Sequence, residues 1–225
     1  MNFGRSVKRQ YLSPLREGQA SNTRTAVIEA AWRLFAERGY AATSIEEIAR
    51  AAGVSRATVF TSVGGKPLLL KTAFDVAIVG DDEQVSLPER PRSRLIRAES
   101  DPRKYLPLYA ELITEMGGRL APIAEAVRGA AGADADARGL WEAHLAQRRQ
   151  GAANVVSDLL AKRAQLRSDL LVEAAADLLW VLNDPGLYGQ LVLRRGWTPE
   201  HFQSWLADTM QRQLLTDELS AGGST

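Results

Sequence analysis

Between residues 43 and 61 the chain carries two short apolar-periodic segments, each opened by a hydroxyl residue and separated by a single glycine. Thr43 with Glu46, or Ser44 with Glu47, forms a capping box, in which a hydroxyl and a carboxylate each satisfy an orphan backbone donor. Ile45, Ile48 and Ala49 give the first segment a buried side. Gly53 then allows a tight bend without steric cost, Val54 returns to the apolar interior, and Ser55 caps a second helix running to about Thr61. Arg56, Ala57, Phe60 and Thr61 share one face of that helix, with Val59 on the other. Such a split suits a helix that anchors from behind and enters a DNA groove in front. It also suits two capped helices in an ordinary bundle.

The surrounding pattern is helical. Val27, Ala30, Ala31, Leu34 and Phe35 step by three and four from a cap at Asn22 to a stop at Gly39. Lys66-Pro67 opens a further helix to about Val79, proline being tolerated in a first turn. Residues 80–91, with Asp81, Asp82, Glu83 and two prolines, read as a linker or bend. Beyond it, helical spacing runs from Tyr105 to Val127, from about Asp134 to Ala164, from Ser168 to Asn183, and from a Thr198 cap through Leu214. No strand alternation or repeat appears. The expected fold is all-α: a flexible basic arm (1–20), a three-helix helix-turn-helix domain (21–80, the motif itself about 44–63), a C-terminal helical bundle (81–219) and a disordered tail (220–225).

Charge divides the chain unevenly. Residues 1–66 hold ten Lys/Arg and five Asp/Glu, net +5, whereas the remainder holds eighteen and twenty-two, net −4. A basic front suggests a polyanionic partner there. No apolar run approaches the roughly 18 residues of a membrane span, no secretory signal is visible, and a cytoplasmic, nucleoid-associated location fits. There is no cysteine. His144 and His201 lack metal-ligand spacing and no catalytic constellation stands out, so neither an enzyme nor a cofactor is expected. Gly64-Gly65-Lys66 evokes a phosphate loop, but Phe60 stands where its first glycine belongs and Pro67 where its hydroxyl belongs.

The run TRTAVIEAAWRLFAERGYAATSIEEIARAAGVSRATVFTSVGGKPLLLKTAFD resembles the N-terminal DNA-binding domain of the TetR family of bacterial transcriptional regulators. The resemblance covers about residues 22–79. Its landmarks stand in order: Ala30-Ala31, Leu34-Phe35, Gly39-Tyr40, Thr43-Ser44-Ile45, Ile48-Ala49, Ala52-Gly53-Val54-Ser55, Thr58-Val59-Phe60 and Lys66. It implies a homodimer that inserts its third helix into the major groove of a palindromic operator. It also implies a C-terminal domain that dimerises and binds a small effector. The family commonly carries a tyrosine at the place of Phe60, whose hydroxyl bonds a phosphate; Phe60, Thr61, Ser62 and Val63 depart from that pattern.

The expected DNA-binding residues are therefore Thr43, Ser44, Ser55, Arg56, Ala57, Thr58, Phe60, Thr61, Ser62 and Lys66. Arg56 suits guanine or a phosphate, the hydroxyls near helix starts suit phosphates, and Lys66 is placed to reach the backbone. Arg5, Lys8, Arg9 and Arg16 of the arm either enter a minor groove or stay solvated. Candidates for the effector pocket are Tyr105, Tyr109, Met116, Trp141, His144, Trp180 and Asn183, aromatic or flexible groups with polar handles. Leu171, Ala175, Leu178, Leu182, Trp205, Met210 and Leu214 are expected to supply a dimer interface. The expected function is a ligand-responsive repressor of double-stranded operator DNA. Alternatives are a DNA-binding regulator or activator without a small-molecule effector and, more remotely, an all-α enzyme or protein-interaction module.

Overall fold

Helix α1 spans Pro14–Arg38, beginning eight residues before the expected cap at Asn22. The computed structural model describes residues 14–216; Arg5, Lys8, Arg9 and the tail from 220 lie outside them. Residues 18–22 are exposed, so this early stretch buries no apolar stripe by which the sequence could reveal it. Further along, Val27, Ala31 and Phe35 are fully buried, and Gly39 ends the helix with φ +80°, a conformation that favours glycine.

Helices α2 (Ile45–Ala51) and α3 (Arg56–Ser62) form the two short limbs anticipated around Gly53, whose φ is +69°. Ser44 completes the capping box with Glu47, and Ser55 caps α3 by accepting from Thr58 N. Helix α4 (Lys66–Val79) follows, with Pro67 in its first turn and Gly80 as its left-handed stop. Ile48, Val59, Leu69, Leu70 and Phe74 close this core.

Segment 80–91 is an ordered bend, not a loose linker. The Arg90 guanidinium holds both carboxylate oxygens of Asp81 at 2.6 Å and the carbonyl of Val85 at 3.0 Å. A single 3-10 turn (Leu87–Glu89) leads into α5 (Pro91–Ala98), a short helix that the sequence reading passed over. Helix α6 (Pro102–Ala130) runs unbroken through Gly117 and Gly118 and packs against α1, α4, α7, α9 and α10. Helix α7 (Ala135–Ala161) starts at an Asp134 cap.

Helix α8 covers Val172–Leu182, shorter than the expected 168–183. The residues before it are committed elsewhere: Arg167 N donates to Leu214 O and Thr216 N to Gln165 O, both at 3.0 Å. Helix α9 (Pro185–Tyr188) passes into a wide π turn (Gly189–Arg194), and α10 (Pro199–Leu214) begins at the Thr198 cap. Among the described residues the only β feature is an isolated bridge between Leu166 and Leu215. The molecule is all-α.

Candidate nucleic-acid interface and ligand cleft

Helix α3 presents a free face because Val59, fully buried, pins its other side to the core. Arg56, Ala57, Phe60 and Thr61 are exposed there, and Thr58 and Ser62 are half-buried. Phe60 shows 45% of its surface, enough apolar area to meet a thymine methyl. The Arg56 guanidinium carbon lies 5.6 Å from the Phe60 ring centroid, and its Nη1 is 2.8 Å from Glu46 Oε1. Both partners of that ion pair are more than half exposed, so it is weak and is readily exchanged for a phosphate or a base edge.

The hydroxyls divide by their local bonds. Thr43 is 2% exposed, and its hydroxyl donates to Gly39 O at 2.9 Å and Leu34 O at 3.2 Å. This corrects the assignment of Thr43 to the DNA contacts: it fastens the turn after α1. Ser44 Oγ donates to Glu47 Oε2 at 2.8 Å and accepts from Glu47 N at 3.2 Å, its hydroxyl thus committed to the cap. Ser55 Oγ accepts from Thr58 N at 3.0 Å and lies 2.8 Å from the Thr58 hydroxyl. Thr61 and Ser62 donate to the α3 carbonyls of Thr58 and Val59.

Lys66 folds back over Tyr40, its Nζ 4.3 Å from the ring centroid and 3.5 Å from Ala41 O. Burial holds its pKa below the ordinary lysine value. Sequence reasoning missed Arg24. From α1 it holds the Asp82 carboxylate through Nε and Nη2 and donates from Nη1 to Ser62 O at 2.5 Å. It thereby joins α1, the end of α3 and the bend after α4.

A cleft of about 790 Å³ opens between α4, the 81–88 bend, α6 and α7, within the range of small-molecule sites. Val76, Val79, Leu112, Ile113 and Met116 supply its apolar wall, and Tyr109, His144, Arg148 and Asn183 its polar part. The expected pocket residues are thus divided. Tyr109, Met116, His144 and Asn183 meet in this cleft. Trp141 and Trp180 line a neighbouring one of about 470 Å³ under α8 and α9. Tyr105 lines neither: it is 2% exposed, and its hydroxyl donates to Asp158 Oδ2 at 3.1 Å. Tyr105 is corrected from pocket wall to core.

Arg148 borders both clefts. Its Nη1 lies 3.0 Å from Asp184 Oδ2 and its Nη2 donates to Trp180 O at 2.6 Å. Burial lowers its pKa, with Asp184 opposing. In the sequence it was hidden within Gln147-Arg148-Arg149-Gln150, which reads as a solvated face. The available signal was its position one turn after His144. Burial, and then the Arg148 charge, push the His144 pKa down to about 4, so this imidazole is neutral at neutral pH. Burial raises the Tyr109 phenol to about 12.

Of the expected interface residues, Ala175, Met210 and Leu214 are fully buried within a single chain. They are core, and the correction follows from α10 packing directly against α6. Leu178, Leu182 and Trp205 are half-buried, and Leu171 is 73% exposed. Val172 and Val181, which the sequence reading did not select, are about half exposed on the same helix region.

Residues 27–71 match the family model described as bacterial regulatory proteins, tetR family. No curated protein matches the chain. Among solved structures it is similar to NalD of Pseudomonas aeruginosa, the secondary repressor of the MexAB-OprM multidrug efflux pump. Identity is 26%, coverage 89% of this chain and 99% of that one, and TM-score 0.64. Two further likenesses speak to fold alone. A transcriptional regulator from Saccharomonospora viridis in complex with choline is 22% identical, with coverage of 88% and 100% and a TM-score of 0.65. The regulator FadR of Bacillus subtilis in complex with stearoyl-CoA is 16% identical, with coverage of 84% and 98% and a TM-score of 0.66.

Proposed function

We propose that this chain, whose residues 27–71 match the tetR family of bacterial regulatory proteins, works as a cytoplasmic, homodimeric repressor released from a palindromic operator by a small molecule. The observation that carries this reading is the double duty of α4. Its N-terminal end follows the recognition helix through Gly64-Gly65, while its Val76 and Val79 line the 790 Å³ cleft. A ligand that favours one placement of α4 shifts that equilibrium by its differential affinity for the two placements, and α3 follows through the Gly64-Gly65 connection.

Two cross-links support that coupling. Arg119 on α6 donates from Nε to Ala77 O on α4 at 3.2 Å, and Trp32 on α1 donates to Arg119 O at 2.9 Å. Through them α1 and α4 are both referred to α6. In the DNA-bound dimer Arg56 and Phe60 read the major groove, with Ala57, Thr58 and Thr61 beside them. The adjacent exposed apolar residues Leu171 and Val172, at the start of α8, give a second copy a patch to cover. NalD, similar in sequence and fold, is itself described as a repressor.

A footprint on the DNA upstream of the protein's own gene tests the reading. Protection of an inverted repeat, by a species of twice the chain mass in solution, is the expected result. Salt-sensitive binding without any preferred sequence would overturn it.

A further inference from the structure

Three of four polar side chains around the inner part of the 790 Å³ cleft leave hydrogen-bonding capacity unused. Tyr109, His144, Arg148 and Asn183 come from α6, α7 and the end of α8. Asn183 Nδ2 donates to the Tyr109 hydroxyl at 2.7 Å. Asn183 Oδ1, His144 Nε2 and Arg148 Nε are buried with no hydrogen-bond partner among the described residues. In either orientation of the Asn183 amide, one of its two polar atoms is left over. Buried groups of this kind are ordinarily paired, and a shared cluster of them beside a cleft calls for a partner that both donates and accepts.

Charge narrows the partner further. Arg148 already faces Asp184 at 3.0 Å, so its charge is matched within the chain. At the mouth of the cleft Asp75, Asp81, Asp82 and Glu83 are each paired within the chain, with Lys71, Arg90, Arg24 and Arg90 in turn. A carboxylate ligand offers acceptors only and meets the Asp184 charge behind Arg148. An ammonium offers donors only and meets Arg148. An uncharged amide or hydroxyl supplies both functions without an unmatched charge. The remaining wall, Val76, Val79, Leu112, Ile113 and Met116, is apolar and suits a hydrocarbon or ring body.

We propose that this cleft takes an uncharged, largely apolar small molecule that presents an amide or hydroxyl group to Asn183, Tyr109, His144 and Arg148. The inference rests on the reading of the protein as a ligand-released repressor, and deepens it by naming the ligand class.

The test is titration of the full chain at pH 7.5 with four probes on one alkyl body: octanamide, 1-octanol, octanoate and octylammonium. Calorimetry or thermal shift gives the affinities, and operator binding is followed in parallel. Octanamide and 1-octanol are expected to bind at least tenfold more tightly than the two charged probes. The N183L variant is expected to remove that preference, and Y109F, which keeps the ring, to reduce it. Equal or tighter binding of octanoate or octylammonium overturns the proposal, as does absence of binding by all four or an unaltered preference in both variants. Selective binding of octanamide without any change in operator affinity upholds the ligand class and removes the release mechanism, so the two readings fail separately.

Discussion

Arg24 and Asp82 form a two-pronged ion pair that joins the first helix to the bend at the mouth of the cleft. The same guanidinium donates to Ser62 O at the end of α3. Side-chain exposures of 33% and 26% keep the energy modest, about 1 kcal/mol once solvent screening is allowed for. R24A removes both links, so operator affinity and the response to ligand both fall. D82N keeps the bond to Ser62 and loosens only the bend, so it weakens the response to ligand while leaving operator affinity close to wild type. Anisotropy titrations of both variants with and without ligand separate these outcomes; identical behaviour of the two would remove the bend from the relay.

Glu46 occupies Arg56 in one exposed ion pair. E46A is therefore expected to strengthen operator binding a few-fold, most visibly at low salt. R56A is expected to weaken it by about 1–3 kcal/mol if Arg56 reads a base. A gel-shift comparison that finds both variants equal to wild type would dismiss Arg56 as a reader.

His144 makes stability depend on acid. Its pKa in the folded chain, about 4, lies below the ordinary 6.5, so the unfolded chain takes up the proton first as pH falls. The stabilisation from keeping the ring neutral is complete above pH 6.5 and is lost as pH drops through 4, about 3 kcal/mol in all. H144Q should flatten this part of the curve. Thermal melts between pH 7 and pH 4.5 check it: parallel curves for variant and wild type would assign the acid loss to other groups.

Gly117 lets two helices touch. A Cβ there would stand 2.6 Å from Tyr188 Cδ2 and 3.0 Å from Tyr188 Cβ, and Tyr188 is itself held against Phe202 with ring centroids 5.2 Å apart. G117A gains helix propensity of about 1 kcal/mol but overpacks the contact by about 1–3 kcal/mol. The net expectation is a Tm lower by a few degrees. The loss should be smaller in a Y188L background, measured as a double-mutant cycle.

Local chemistry made the reading half legible. Caps at Ser44, Ser55 and Thr198 and stops at Gly39 and Gly53 act within a turn of their own position, so the sequence carries them openly. The front of α1 was invisible because its exposed polar residues follow no apolar period. Thr43 misled for a related reason: a hydroxyl beside a helix start looks the same whether it faces a phosphate or, as here, two carbonyls of the preceding helix. The cleft was half legible. Tyr109, Met116, His144 and Asn183 carry recognisable handles, but which aromatic residues share a wall depends on how α6, α7 and α8 cross. That is a long-range property, and it sent Trp141 and Trp180 to the other side of Arg148.

Helix α6 belongs to two interiors at once. Leu120, Ile123, Ala124 and Val127 complete the core beneath the recognition helix, while Tyr105, Leu106, Ala110 and Ala121 complete the core of the C-terminal bundle. The DNA-reading head is consequently not a portable module. A fragment ending at Gly80 would strip α4 of its packing against α6 and α7, including the edge-on contact of Phe74 with His144, and a graft onto another protein would have to bring those stretches of helix with it.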